Sequence, residues 1–577
     1  MVLQELIFPY IGDTELYFRI DNGKIENKEI LLNKNGTLKT NTFFNIFSSG
    51  KWFKYTDLQD LSLSFSGTGK AKLEIFRINN EKESEQIIYS ADLQLDKNPI
   101  LELPINIWQI NDCMIFFNLT AYETVTIKKI DYITNTSVNT DVVIALNICT
   151  YKREEYLKAN LSLLEEQILN NPQSQLYNKL EVFIADNGKT LGDSVTTNKI
   201  HVFPNANTGG SGGFTRGLQE ILAVSDEKKI THTIFMDDDI KLIPAVIERN
   251  ATFLSFIKDK FADSIIPGAM LNMNNPNNQY EFGAKWDNIP RPQHMNLDLL
   301  DVKTLTCNDK ENIKIDYAAW WYSCMSIQSL KRIGYPMPFF IHGDDIEYGL
   351  RLNHSFILLN GIGVWHESFE NKYQPVNIYY DTRNYLIINT LYNHQLKIIN
   401  HIFNNIFWQT STYRYWDVDF FLKGIKDFCK GANWLLKLNS EKNHIKLSEQ
   451  AKKAFLCKGI NNLPNDFTYI KNDSSKTYNK WKFIFMLNGW LLPANKNIVL
   501  DIGTDAHEMY RVKKAIWFFP QTKQGIEVKK SFFPLFKIGI QTIYTCIIVI
   551  FRYKKAQKSY KKLFNKLCQK DYINKNQ

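Results

Sequence analysis

The pattern of apolar and polar positions along the chain changes character three times. From about Leu61 to Ile133 it alternates with a period of two. "LSLSFSGTGKAKLEIFRI" and "MIFFNLTAYETVTIKKIDYIT" send apolar side chains to one face and polar ones to the other, with Gly and Ser as punctuation. Several such runs with no helical period between them predict a β-sandwich, jelly-roll-like, over residues 1–138. The segment "TNTSVNTD", Thr134 to Asp141, is polar and turn-rich and reads as a linker.

A different pattern follows. "VVIALNICT" is a mostly apolar strand, "REEYLKANLSLLEEQIL" has a helical period, and "LEVFIADNG" is a strand again. A Gly-rich stretch, another helix and the strand "HTIFM" come next. Strands alternating with helices predict a mostly parallel α/β sheet over residues 139–395. Ligands of such sheets sit beyond the carboxyl ends of the strands. The polar clusters Thr150–Arg153, Asp186–Gly188 and Asp237–Asp239 each follow a strand, so all three are expected on that one edge.

Residues 396–577 read as mostly helical and aromatic, with Trp408, Trp416, Trp434, Trp481, Trp490 and Trp517. The tail couples "FKIGIQTIYTCIIVIF" to "RYKKAQKSYKKLFNKLCQK", which has no acidic residue. The apolar run is short for a spanning helix and contains Gln541. An apolar face beside a polybasic helix suits an anchor on an anionic membrane surface; a buried helix followed by a solvated basic one is the alternative.

Composition narrows the class. At 577 residues the chain is too long for one core, and roughly two to four domains is the prior. A hydrophobic content of 44% with 22% charged residues is ordinary for a globular protein and argues against extended disorder. The net charge of +9 raises nucleic acid as a partner, but no zinc-finger spacing, RNA-recognition signature or basic recognition helix supports it. Eight scattered cysteines, Cys113, Cys149, Cys307, Cys324, Cys429, Cys457, Cys546 and Cys568, include no C-x-x-C, which points to reduced thiols in a cytosolic compartment. The N-terminus lacks the basic-then-apolar layout of a signal peptide, so a cytoplasmic chain is expected.

The densest chemistry is "MDDDI", where Asp237, Asp238 and Asp239 follow an apolar strand. The first and third carboxylates can point to one side and hold a hard divalent cation, with the middle one turned away. Such a cation neutralises charge on a departing diphosphate. An acidic turn or a helix N-terminus would carry the same letters. "NANTGGSGGFTRGL", Asn205 to Leu218, leads glycines into a helix and lets backbone amides approach phosphate or sugar, although a flexible loop reads alike. It lacks the G-K-[ST] of a Walker loop.

In "FIHGDDIEYGLRL", Asp344 and Asp345 open a helix whose dipole favours the ionised carboxylate needed of a general base. Glu347 and Arg351 are four apart and read as a structural pair. His366 follows an apolar strand in "VWHES" and can complete a metal site or pack as an ordinary histidine. Trp320, Trp321 and Tyr322 in "AAWWYSCM" offer adjacent aromatic faces, for core packing as readily as for a sugar.

Taken in order, "TYKR", "IADNG", "NANTGGSGGFTRG", "MDDDI", "WWY", "GDDIEYGLR" and "VWHES" resemble the inverting glycosyltransferases of family 2 with the GT-A fold. More narrowly they resemble the bacterial galactofuranosyltransferases that use UDP-galactofuranose, the polymerising mycobacterial enzyme among them. The resemblance implies three domains: an N-terminal β-sandwich, a central GT-A (Rossmann-like) domain and a C-terminal helical region. It implies that Asp237, Asp239 and His366 hold Mn²⁺ or Mg²⁺ and that Arg153 and Asp186 contact uridine. Gly209, Gly210 and Gly212 would line the donor site, with Asp238 and Glu281 also on the donor side. Asp345 would be the catalytic base and Asp344 would orient a sugar. Trp320 and Trp321, with Tyr322 beside them, would form the acceptor platform. One position departs: the mycobacterial pattern has Trp directly before its double aspartate, and this chain has Gly343 after His342, which leaves acceptor and polymerising activity open.

The expectation is therefore a metal-dependent transferase with a UDP-sugar donor and a glycan or glycolipid acceptor. It would lie at the inner face of a bacterial plasma membrane and serve cell-surface polysaccharide synthesis; a homo-oligomer is left open. A rhamnosyl or pyranosyl transferase is the first rival, and a non-catalytic carbohydrate-binding protein the second.

Overall fold

The structure is a computed structural model that describes residues 1–192, 195–369, 374–454, 458–459, 466–470, 485–501, 504, 506–519 and 523–569. Cys457, Trp481 and the last residue of the basic tail, Lys570, lie outside the described residues. The chain divides into two compact units. The first comprises Met1–Trp286, Pro290–Pro336 and Asp345–Glu367; the second comprises Asp287–Ile289, Met337–Asp344 and Ser368–Gln577.

In the first unit the alternating N-terminal runs form a nine-stranded antiparallel sheet. The Lys70–Asn79 strand carries the pattern that period two demands in its first half, where it buries Ala71, Leu73 and Ile75. The Glu29–Lys39 strand changes partner along its length. Ile30–Leu32 pair with Val125–Ile127, and Thr37–Lys39 pair with Asn118–Thr120.

The α/β part of the same unit is a six-stranded sheet in the order Ile200–Pro204, Leu180–Asp186, Ile144–Thr150, His232–Asp237, Ser323–Ser326, Ile266–Pro267. Its first four strands are parallel and the last two pair antiparallel. A second sheet sets Leu297–Asp298, Asn275–Glu281, Ala269–Asn272 and Gly363–His366 side by side.

The change of pattern near residue 138 is not a break in the core. Phe44 and Trp52 of the N-terminal part pack against Trp365 and Phe253, with ring centroids 5.5 and 4.9 Å apart. The buried guanidinium of Arg249, on the Ala245–Ser255 helix, donates to the carbonyls of Phe44 (2.6 Å), Glu5 (3.0 Å) and Gly361 (3.3 Å). One hydrophobic cluster thus runs from Leu3 to Trp365.

The second unit begins with helices Pro375–Leu391, Ile398–Ser411, Tyr415–Phe428 and Ser440–Ala454, and ends on the 36-residue helix Phe532–Leu567. Between them lies a five-stranded sheet containing Lys496–Asp501, Val512–Phe519 and Gln524–Lys529. The region expected to be mostly helical thus carries strands beside its helices. "KNIVLD" and "VKKAIWFF" have apolar runs that periodicity alone cannot divide between strand and helix, and pairing with each other decides them.

Candidate active site

Parallel pairing brings the three polar clusters to one edge. Thr150 is opposite Asp186 and Cys149 opposite Asp237, so the chain leaves three neighbouring strands at the same level. Beyond Asp237 it turns, and a two-way backbone bridge between Lys241 and Trp365 fastens the turn to the strand that ends on His366. Residues more than a hundred positions apart are thereby set side by side.

His366 Nε2 lies 3.2 Å from Asp239 Oδ1 and 3.8 Å from Asp237 Oδ2. One ligand atom from each of the three side chains falls within 4.8 Å of the others. Two carboxylates and an imidazole form a donor set that suits Mn²⁺ or Mg²⁺, and the half-buried Asp237 leaves one side of the cluster open to solvent. The ring of the buried Trp321 stands 6.5 Å from that of His366 and walls the cluster.

Arg153 reaches into the same cluster. Its Nη1 pairs with Asp239 Oδ2 at 2.6 Å and Asp238 Oδ1 at 3.2 Å. Burial pushes the Asp238 carboxyl above its ordinary range, opposed by the charge of Arg153. The repulsion among three adjacent aspartates is therefore met from the protein side by one guanidinium as well as by the His366 ring. In this structure Arg153 braces the acidic turn, a partnership its place in "TYKR" did not signal.

Asp186 is 2% exposed, and its carboxylate accepts from the backbone amides of Gly188, Thr190 and Leu191 at 2.7–2.9 Å. It organises its own loop. Two residues that sequence reading passed over connect this loop to the glycine run. Asn205 Nδ2 donates to Asn187 Oδ1 (2.7 Å), and Asn187 Nδ2 to the carbonyl of Gly209 (2.9 Å). Their signal was an Asn directly after each strand end.

The glycine run opens the Gly209–Val224 helix, with Gly209 at φ +71°. Several of its glycines are required by packing. A Cβ on Gly213 would stand 2.1 Å from Cys149 Sγ, and one on Gly217 would stand 2.0 Å from Asn147 Oδ1. Gly210 and Gly212 are half-buried at the helix start, where a Cβ on Gly212 would stand 2.0 Å from Thr208 Oγ1 and the helix dipole favours an anion.

Glu281 ends its strand at 7% exposure, and burial together with the charge of Asp345 pushes its pKa up to about 8. Asp345 is half-buried at the start of the Asp344–Leu352 helix, where its Oδ1 accepts from the amide of Ile346 at 2.8 Å. Asp344 is buried and belongs to the second unit. Glu347 and Arg351 pair at 2.8 Å. The turn before them carries three left-handed residues, Phe340 (φ +77°), His342 (φ +63°) and Gly343 (φ +86°). A left-handed φ at 343 favours glycine there.

The aromatic platform is corrected. Trp320, Trp321 and Tyr322 are 5%, 3% and 0% exposed. Trp320 packs edge-on against Phe214, Phe235 and Tyr348; Trp321 Nε1 donates to the carbonyl of Gly268, and the Tyr322 hydroxyl accepts from Asn250. Burial of rings this large is worth more to the core than a surface could return, and no open face remains for a sugar.

Residues 15–135 match the family model described as "Galactofuranosyltransferase 2 N-terminal". Over 384 residues the chain is 25% identical to the galactofuranosyltransferase GlfT2 of Mycolicibacterium smegmatis. The chain resembles the galactofuranosyltransferases. That alignment covers 61% of this chain and 57% of the relative. A second, to GlfT2 of Mycobacterium tuberculosis, is 24% identical over 380 residues, 60% of this chain and 57% of that protein. The chain thus spans little over half the length of the galactofuranosyltransferases it matches. Among solved structures, a mannosyltransferase from Pyrobaculum calidifontis in complex with GDP-Man and Mn²⁺ is 10% identical, covering 55% of this chain and 84% of that one. Its TM-score of 0.28 is too low to support anything further.

Proposed function

We propose that the chain is a metal-dependent, inverting glycosyltransferase that moves galactofuranose from UDP-galactofuranose to a hydroxyl of a lipid-linked glycan during cell-surface polysaccharide synthesis. The observation that carries this reading is the Asp237, Asp239, His366 cluster at the carboxyl edge of a parallel sheet, in a chain that resembles galactofuranosyltransferases.

The two carboxylates and the imidazole would hold Mn²⁺ or Mg²⁺. When bound, the cation supplies positive charge for the diphosphate of the leaving nucleotide. Arg153 keeps Asp238 and Asp239 in place and balances their charge while the site is being filled. The amides at the start of the Gly209–Val224 helix face the donor's phosphates, with Gly210 and Gly212 admitting close approach. Asp345 takes the proton of the acceptor hydroxyl as that oxygen attacks the anomeric carbon and the bond to UDP breaks, a single displacement that inverts configuration. Glu281, protonated at neutral pH, donates a hydrogen bond to an oxygen of the donor sugar.

The test is release of UDP from a panel of nucleotide sugars with Mn²⁺, with and without a galactan acceptor. The proposal predicts acceptor-dependent release from UDP-galactofuranose. Turnover confined to UDP-galactopyranose or a deoxy-sugar donor overturns the substrate, and no turnover with any donor overturns the transferase reading.

A further inference from the structure

The helix Phe532–Leu567 has no acidic residue and two distinct sides. Ile538, Thr542, Thr545, Val549, Ala556, Tyr560 and Leu567 are buried. At about 100° per residue these positions fall within an arc of roughly 60°. Opposite them runs an exposed apolar stripe: Phe532, Phe533, Phe536, Ile540, Ile543 and Tyr544, continued by Ile547, Ile550 and Phe551. Phe533 is 80% and Phe551 77% exposed, far beyond what scattered surface residues require. The same side continues into the exposed cations Lys554, Lys558, Lys561 and Lys562.

On the flank between stripe and buried side, Lys537, Gln541, Tyr544, Ile548 and Arg552 line a cavity of about 580 Å³ against the Tyr415–Phe428 helix. That helix and the turn after it contribute Lys423, Lys426 and Lys430. The two acids of the cavity are already engaged: Asp419 with Lys537 (2.9 Å), and Asp427 with Lys430 (2.6 Å) and Lys423 (3.6 Å). Five cations face two carboxylates, and Lys426 and Arg552 have no ion-pair partner among the described residues. Burial and the neighbouring Lys423 both push the Lys426 pKa down, which marks a cation without its counter-charge.

We propose that this cavity binds the phosphate headgroup of an anionic lipid whose chains lie on the adjoining stripe, so that the helix rests along a membrane surface. Tyr544 joins the two parts, since it belongs to the stripe and lines the cavity. By length and composition the helix is able to cross a membrane, but its buried side runs from Ile538 to Leu567, with Tyr560 stacked on Phe428 at 5.2 Å and the Ser559 hydroxyl accepting from the amide of Ala432, which favours a position along the surface. A second copy in parallel register fits poorly, since it would set Lys554, Lys558 and Lys561 against themselves. The inference goes beyond the transferase reading and does not depend on it.

Flotation of the full chain on vesicles tests the proposal. It should float with equal parts phosphatidylcholine and phosphatidylglycerol and stay behind with phosphatidylcholine alone. The pair Lys426→Ala and Arg552→Ala should lower partitioning roughly thirty-fold. Phe533→Ser with Phe536→Ser, both exposed, should lower it more than tenfold at an unchanged melting temperature. Wild-type flotation by either variant overturns the proposal, as does equal binding to both vesicle types. Release from vesicles by inorganic phosphate at matched phosphate concentration makes the cavity a free-anion site, and a dimer dissolved by the Phe pair makes the stripe a self-interface; either result overturns it. UDP release onto a soluble acceptor should be unchanged in both variants, which separates this failure from failure of the transferase reading.

Discussion

Replacing Glu281 by Gln should flatten the pH dependence of stability. The folded chain holds the Glu281 proton up to about 8, whereas an exposed glutamate releases it near 4.5. A carboxyl with a raised folded pKa contributes stability that is fully present below the unfolded value and is lost as pH rises through the folded one. The gap of about 3.5 units, at about 1.36 kcal/mol per unit, amounts to roughly 5 kcal/mol lost between about pH 4.5 and pH 8. Glutamine fills the same volume and cannot ionise, so it keeps the low-pH stability throughout that window. Urea unfolding midpoints for the unit carrying Glu281, taken from about pH 5 to about pH 9, read the difference directly. The two curves should meet at the acid end and diverge with the variant the more stable. Asp345→Asn should leave most of the slope in place, because burial outranks the Asp345 charge as its cause. Parallel curves for wild type and Glu281→Gln would refute the protonated carboxyl and its hydrogen bond to the donor.

Three other perturbations probe the scaffold. Arg153→Ala should destabilise the metal-free chain by about 1 kcal/mol, a surface-discounted value for a half-exposed guanidinium on two carboxylates. A double-mutant cycle with Asp238→Asn should show coupling, and saturating Mn²⁺ should shrink the penalty. Gly217→Ala should cost about 2 kcal/mol in chemical denaturation, since its methyl would displace Asn147, whose Nδ2 holds the Phe214 carbonyl. Arg249→Met keeps the stem and removes the donors to two buried carbonyls and the part-buried one of Glu5, so a loss of about 3 kcal/mol is expected, and thermal melts should register it.

Much of the site was legible in the sequence because parallel strands obey a simple rule. Once "VVIALNICT", "LEVFIADNG" and "HTIFM" read as neighbours, Asp237 and Asp239 had to emerge at the edge that also carries Arg153 and Asp186. The placement of His366 was a suggestion from an apolar run, and its approach to Asp239 depends on the Lys241–Trp365 bridge, which no local pattern encodes. Side-chain partners were the least readable. The pairing of Arg153 with the acidic turn and the capture of Asp186 by its own loop are decided by where carboxylate oxygens find donors, and letters do not state that. Adjacent tryptophans look alike whether they line a groove or fill a core, and here they fill the core. In the N-terminal region the alternation gave strands but no function, yet that region carries the family match at residues 15–135. The shared core from Leu3 to Trp365 was hidden for the same reason: apolar strand faces do not say what covers them.

The central claim is that Asp237, Asp239 and His366 hold a divalent cation in the service of a UDP donor. Calorimetric titration of UDP into the purified chain, in Mn²⁺ and again in excess chelator, tests it most directly. The account predicts binding that requires Mn²⁺, is lost in Asp239→Ala, and survives in Asp238→Asn. UDP binding of equal strength in chelator, or an undiminished Mn²⁺ requirement in Asp239→Ala, would contradict it.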